Sequence, residues 1–497
     1  MMGPAQKRDD KLFYVGIGLD QRMPPDHPLR RIATLVDFHF VRAQVADTYG
    51  RQGNPSVDPT VLLKLMFVLF YENVPSERQL MAQLPVRLDW MWFCGYDFDD
   101  AIPNHSVISK ARRRWGAEVF RSMFEQVLDR CVAAGLVDGS VVHVDASVVE
   151  ANADPEKMRP ALRRTAEKLY DRLESSAGPE SQEVSVREET PPVLESSTDP
   201  EARVTVKDGV AILGYKEHRV VDDRAQIITA TVTTPAATPE GEVLEELLDQ
   251  HAENTGNEVE TPVADKGYGT AENYSLLHQR GMTPCIPHRE AVNPEGMFGT
   301  KEFRYDRDRD CFICPAGETL KCGGWDESEQ RRRYQASGKT CRTCALRARC
   351  TKSKNGRRVG RLLYQDDVDW ADGCLSRPER RRLMTRRKIC VEGSFADAAN
   401  NHGFKRARWR RLMRVRIQGL LIAAVQNVRK LLKACRWGLA AAQVVTATRE
   451  WREAARHGAS STCRWVLRLR SFLGRHGFTV GLCRELFSGP RRLPGGA

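Results

Sequence analysis

Val141-Val-His-Val-Asp145, running on into Ala146-Ser-Val-Val-Glu150, is the stretch on which the fold turns. Its first five residues form a short, β-branched apolar run that ends on an acid, which predicts a central strand over 141–145 with Asp145 at its carboxyl end. Thr261-Pro-Val-Ala-Asp265 repeats the pattern: a short strand, then an acid, then Gly267-Tyr-Gly269 and a helix from about Thr270. Between them, two alternating runs (Tyr215 to Asp222 and Gln226 to Thr234) flank Asp222-Asp-Arg-Ala225, a hairpin signal. Gly241 to Glu253 reads as an acidic helix, and Thr283 to Pro287 as a fifth short strand. The order is therefore strand, hairpin, helix, strand, helix, strand, with a long helix through Glu392 later in the chain.

Upstream the chain reads as helical. Pro59 to Phe70 has the apolar density of a buried helix, Ser76 offers an N-cap, and Asn104-His-Ser opens a helix with a basic face. A helix is expected over Arg159 to Leu173. From 174 to 201 there are 8 acids against 1 base among Pro, Ser and Thr, which predicts a flexible acidic insert, taken as 174–205. The fold class expected is α+β: a mixed sheet flanked by helices, an all-helical front and a small cysteine-rich insert. The boundaries expected are 1–135 helical, 136–290 first part of the core, 291–365 insert, 366–436 second part of the core and 437–497 a basic tail.

A length of 497 residues implies several structural units, and 41% hydrophobic residues is a globular fraction. The net charge of +12 favours polyanionic partners. That excess is local, since Ser376 to Arg436 holds 18 Lys or Arg against 3 acids. Trp409 and apolar residues are interleaved there, which favours a nucleic-acid footprint over a merely solvated helical face. Lys388, ahead of Glu392, and Lys405, Arg406, Arg408, Arg410, Arg411, Arg414 and Arg416, expected on a helix that follows it, are the candidate phosphate contacts. The charged N-terminus carries no signal-like apolar core, and the run Leu420 to Val425 is too short for a bilayer. The expected location is the cytoplasm, associated with the nucleoid, and structural disulfides are correspondingly unexpected among the 14 cysteines.

Cleavage of a phosphodiester needs a deprotonated attacking oxygen and a neutralised leaving oxygen. Two Mg2+ ions shared between carboxylates meet both needs, and Mn2+ can replace them. An acid at the end of a strand projects past the sheet, so Asp145 and Asp265 are suitably placed, with Glu392 completing a set of three from a helix. A lone strand-end Asp is more often a turn or cap residue. The ordered set raises the odds. Glu150, Asp154, Asp222 and Asp397 fit less well.

At this point the chain resembles insertion-sequence transposases of the DDE class. The motifs are VHVDASVVEANA from 143, GYKEHRVVD from Gly214, ADKGY around Asp265 and RRKICVEGSFADAANNHGFKRARWRRL around Glu392. Upstream, DHPLRRI at 26, NPSVDPTVLLKL at 54, SERQL at 76 and WMWFCGYDFDDAIPNHSVISKARRR at 91 extend it to roughly residues 10 to 436. The resemblance implies an RNase H-like catalytic core and Asp145, Asp265 and Glu392 as the metal-binding triad. It also implies double-stranded DNA as partner, both element ends and target, and a homodimer that holds two ends together. Hairpin-forming relatives place Tyr and Arg seven and four residues before the Glu and Lys seven after; here Thr385, Lys388 and Ala399 stand there.

Six cysteines fall between 311 and 350, including the pairs Cys311-Phe-Ile-Cys314 and Cys341-Arg-Thr-Cys344. Two residues between thiolates let both sulfurs reach one tetrahedral Zn2+. By spacing, the set is Cys311, Cys314, Cys341 and Cys344. The resemblance points instead to Cys314, Cys341, Cys344 and Cys350, with Cys311 as contender. Four protein ligands leave no open position, so the zinc role expected is structural. Three functions are carried forward: a transposase that cuts and joins, a non-catalytic DNA-binding relative, and a nuclease without strand transfer.

Overall fold

The computed structural model describes residues 18–456 except 51–55, 155–156, 161–193, 208, 289–295 and 328–330. Residues 1–429 form one compact unit; a second begins at Lys430.

The front of the first unit is helical. Its centre is α1 (Pro59–Tyr71), where Asp58 caps the first turn and Pro59 sits at a position whose backbone N–H would be unpaired anyway. Nine of its side chains are buried, as a helix apolar on nearly every side requires. A second helix, α2 (Glu77–Gln83), is capped by Ser76 as expected, and α3 (Ser106–Trp115) and α4 (Glu118–Ala133) follow.

The mixed sheet behind it contains β1 (Val141–Glu150), β2 (Val210–Asp222), β3 (Ile228–Pro235) and β4 (Thr261–Val263). β2 lies antiparallel between β1 and β3, and β4 pairs parallel with the other edge of β1. Beyond β4 a parallel bridge joins Val263 to Cys285, all that forms of the expected fifth strand. Alternation along the strands separates two chemistries. Val142, Val144, Val220, Ala230 and Val232 pack on Leu244, Leu247 and Leu248 of α5 (Leu244–Thr255) and Leu277 of α6 (Ala271–Gln279). The opposite face carries His143, Asp145, Glu217, Arg219, Thr231 and Thr233.

Three expectations change here. The strand at 141 does not stop at Asp145, because β2 keeps pairing with it as far as Glu150, opposite Gly214. Residues 159–160 lie in a strand, Met158–Pro160, paired with Leu194–Ser196, rather than at the start of a helix; 161–173 fall outside the described residues. The acidic insert is not flexible to 205. Leu194–Ser196 and Arg203–Lys207 are strands, and Asp199 is fully buried, accepting hydrogen bonds from the Tyr215 hydroxyl (2.8 Å) and the Arg411 backbone (3.0 Å). Those bonds offset the entropy that composition alone would leave unopposed. Residues 174–193 fall outside the described residues.

After β4 comes a small antiparallel sheet of five strands spanning Arg304 to Leu362: β5 (Arg304–Asp306), β6 (Cys311–Ile313), β7 (Thr319–Asp326), β8 (Arg331–Gln335) and β9 (Arg358–Leu362). The chain then returns to the main sheet through α7 (Gln365–Gly373) and α8 (Arg377–Arg387), a five-residue π-helical turn (Lys388–Glu392) and α9 (Gly393–His402). A last helix, α10 (Leu412–Arg456), carries the chain into the second unit; residues 457–497 of the tail fall outside the described residues. Among the described residues no helix is long and apolar enough to cross a membrane.

His218 on β2 and His251 on α5 are fully buried. Burial pushes His218 down to about 3 and His251 down to about 4. The unfolded chain takes up these protons near pH 6.5 while the folded chain refuses them, so the stability they lend is complete above that value and is lost as pH falls. Each should contribute a slope of roughly 1.4 kcal/mol per pH unit between about 6.5 and its folded pKa. Unfolding midpoints measured from pH 7.5 to 5 should fall steadily; a flat profile would contradict this protonation scheme.

Candidate active site

The parallel register of β1 and β4 places two of the three expected acids at one level. His143 pairs with Val263, the last such pair. Asp145 is two residues beyond it on β1, and Asp265 two residues beyond it on the chain leaving β4. The Asp145 carboxylate has little exposure. One oxygen accepts from Nη1 of Arg387 at 2.8 Å, the other from the Ala146 backbone at 2.8 Å. Burial raises its pKa; Asp265 adds to the rise, and the Arg387 guanidinium opposes it. Repulsion from Asp265 means that the two carboxylates share one field. Asp265 itself accepts from the Gly267 backbone N–H at 2.8 Å.

Glu392 is placed differently. It closes the π-helical turn, which packs on β1 and β2, and its side chain is exposed. No hydrogen bond or ion pair joins it to either aspartate among the described residues. In an α-helix Glu392 would lie about 140° round from Arg387. The wider π turn reduces that angle and brings Glu392 back toward the face from which Arg387 reaches Asp145. Lys388 is exposed, so the cation at Asp145 is Arg387, one residue earlier than the spacing in hairpin-forming relatives suggests. A π turn is invisible to a helical periodicity, and it is the reason sequence reasoning missed Arg387.

The turn is anchored by Asp223. Its carboxylate accepts from His143 Nε2 at 2.8 Å, from Arg386 Nε at 2.7 Å and from the Cys390 thiol at 3.9 Å. His143, Asp223 and Cys390 bring donor atoms within 4.8 Å of one another, a spacing that could hold a metal. Two guanidiniums, Arg386 and Arg387, act on the same imidazole and lower its pKa after burial has done so. That charge disfavours a cation. The set reads as an ion-pair anchor.

The basic run after Glu392 is not one helix. α9 ends at His402, with Gly403 in the left-handed region (φ 64°), and 403–411 is irregular until α10 begins. The break arises because residues 405–407 run beside β1: Glu150 donates to Lys405 O at 2.9 Å, and Ala407 to Glu150 O at 2.8 Å. Arg408 is spent inside the protein. It donates to Val74 O (2.6 Å), Leu69 O (3.3 Å), Asn73 Oδ1 (3.0 Å) and His402 O (3.3 Å) and lies over Phe70, and burial lowers it to about 10. Trp409 is likewise internal, set edge-on to Phe70 with Arg112 over its ring at 3.7 Å. Lys405 donates to Ser147 Oγ (2.8 Å) and Arg410 to Asn152 O (2.8 Å). Arg406 and Arg411 have exposed side chains; those of Arg414 and Arg416 are half-buried. A cationic surface that the candidate residues did not include lies along α8, where Arg377, Arg381, Arg382 and Arg386 line an open cleft.

In the small sheet, Cys314, Cys341 and Cys350 pack around a core of Phe303, Phe312, Leu320, Tyr334 and Val359. Burial raises the Cys350 thiol, and Cys341, Cys314 and Cys344 add to the rise, so all three lie near enough to Cys350 to act on it, although no three of these sulfurs come within 4.8 Å of one another. Cys311 is buried within β6 and is not among them.

With this geometry in hand, comparison with known proteins finds two family models. A transposase domain matches residues 18–114, over the helical front, and a transposase DDE domain matches 313–432, from the cysteine-rich sheet through the Glu392 turn into α10. Two separate matches in chain order support a DDE-class transposase. Its function is accordingly DNA transposition. No curated protein matches. Among solved structures the chain is similar to the piggyBac transposase in a cryo-EM synaptic complex with hairpin DNA, at 11% identity and a TM-score of 0.33 over 94% of this chain and 84% of that one.

Proposed function

We propose that the chain cuts DNA at the ends of an insertion sequence and joins the freed 3′ ends to target DNA, with Asp145, Asp265 and Glu392 as its catalytic acids. The observation that carries this reading is the matched level of Asp145 on β1 and Asp265 just past its parallel neighbour β4, close enough to repel. The sheet order β3, β2, β1, β4, with a further parallel bridge beyond β4, supports an RNase H-like core. Paired carboxylates of this kind fit two Mg2+ ions, or Mn2+, which when bound would neutralise charge on the attacking and leaving oxygens. Arg387 opposes the rise that burial imposes on the Asp145 carboxyl. The cleft along α8, with Arg406 and Arg411, offers phosphate contacts, whose strength should fall with salt and carry no sequence information. End recognition falls to the helical front, and synapsis of two ends calls for a homodimer in the nucleoid.

Purified protein incubated with its element's own ends and Mg2+ should yield nicked and then joined products. DNA bound in a salt-sensitive way but never nicked would establish the non-catalytic alternative, and cleavage without joined products a simple nuclease.

The cysteine-rich sheet fits a structural Zn2+ on Cys314, Cys341, Cys344 and Cys350, and the rise of Cys350 through the other three favours this set over one containing Cys311. About one zinc per chain is expected by elemental analysis. Cys344→Ser should lose it and Cys311→Ser keep it; the reverse result would reassign the ligands.

A further inference from the structure

Pro239 leads into a short 3-10 turn at Glu240–Val243, just ahead of α5, and this turn delivers a carboxylate that the triad does not include. A Cβ built on Gly267 would sit 2.0 Å from Glu240 Oε2 and 2.9 Å from Asp265 Oδ1. Those two oxygens are therefore within about 5 Å of each other. Two oxygens on one Mg2+ at ~2.1 Å lie up to ~4.2 Å apart, so a small torsion or one bound water closes the gap. Gly267 leaves open the cradle that any larger residue would fill. The Tyr268 hydroxyl responds to the same cluster: burial raises it, and Glu240, Asp145 and Asp265 all push it further. Glu240 is balanced by the Lys216 ammonium at 3.3 Å, a single compact cation on a flexible stem.

We propose that Glu240 is a fourth acid of the active site and shares cation binding with Asp145 and Asp265, Lys216 standing as its counter-charge when no cation is bound. The proposal rests on the reading of Asp145 and Asp265 as cation ligands. Asp265 and Glu240 come from opposite ends of the α5 crossover, so closing that unit assembles the pair. Lys216 would yield to a divalent ion, which carries twice its charge.

The test is calorimetric titration of the full chain with Mn2+, without DNA, with unfolding midpoints measured in chelator as a fold control. Glu240→Gln and Gly267→Ala should each weaken Mn2+ binding about tenfold, Asp265→Asn should weaken it more, and Lys216→Met should not weaken it. Equal affinity in Glu240→Gln and wild type, with Asp265→Asn impaired, overturns the proposal and leaves the triad standing. Loss in Lys216→Met matching that in Glu240→Gln also overturns it, because Glu240 would then serve only as the partner of Lys216. An unimpaired Asp265→Asn overturns the triad reading itself.

Discussion

Asp265→Asn should reduce Mg2+-dependent cleavage of element ends by about 10³-fold or more, equivalent to roughly 4 kcal/mol of transition-state stabilisation. The protein should remain folded. The Asp265 carboxylate accepts a backbone hydrogen bond from Gly267, and an amide oxygen can keep it. Asp145→Asn is the less clean experiment, although its effect on cleavage should be as large. Arg387 is 7% exposed and pairs with Asp145, so removing that charge leaves a buried guanidinium uncompensated. A gel-based nicking assay, read beside unfolding midpoints, separates the two effects. Cleavage by Asp265→Asn within tenfold of wild type would show that Asp265 is not a catalytic acid.

The second large effect concerns the sheet that carries the site. Glu217 and Arg219 are 1% and 0% exposed and lie two residues apart on β2. Arg219 donates to Glu217 Oε1 through Nη2 (3.0 Å) and Nε (3.2 Å), and through Nη1 to Gln426 Oε1 (2.9 Å) and Ser394 Oγ (3.3 Å). Phe395 and Phe404 each have the guanidinium over their rings. Burial works against both charges, raising Glu217 and lowering Arg219. Glu217→Ala should therefore destabilise the protein by about 3–5 kcal/mol, since it strands a buried cation. The double change Glu217→Leu with Arg219→Met should recover most of that loss, because an apolar pair removes both desolvation costs. Denaturant midpoints decide the matter: a Glu217→Ala protein as stable as wild type would mean that water already reaches this pair. Gly419 is tied to the same point, as a Cβ there would lie 2.0 Å from Glu217 Oε2.

Two of the candidate acids were legible in the chain. Asp145 and Asp265 stand where short β-branched runs meet an acid, and the alternation in 215–234 identified the hairpin that separates them. Local pattern suffices there because a strand buried on one face must alternate. The errors have equally local causes. Strand β1 passes Asp145 because its partner continues, which no single strand can announce. The basic run breaks at Gly403 because residues 405–407 are drawn beside β1. Arg408 and Trp409 looked like a DNA surface, and both are half-buried ties to the helical front.

Sequence by itself pointed to the class of this protein, the order of its strands, the candidate acids and the two competing cysteine sets. These follow from residue type and spacing, which are properties of the chain. Tertiary structure alone decided which cations serve the fold, that Arg387 rather than Lys388 meets Asp145, and that Glu240 lies against Asp265. Each of those depends on the distance between segments far apart in the chain, set by sheet register, by one π turn and by the room left at a glycine. The opening stretch marks Asp145 as an acid at a strand; only the parallel register with β4 puts Asp265 beside it.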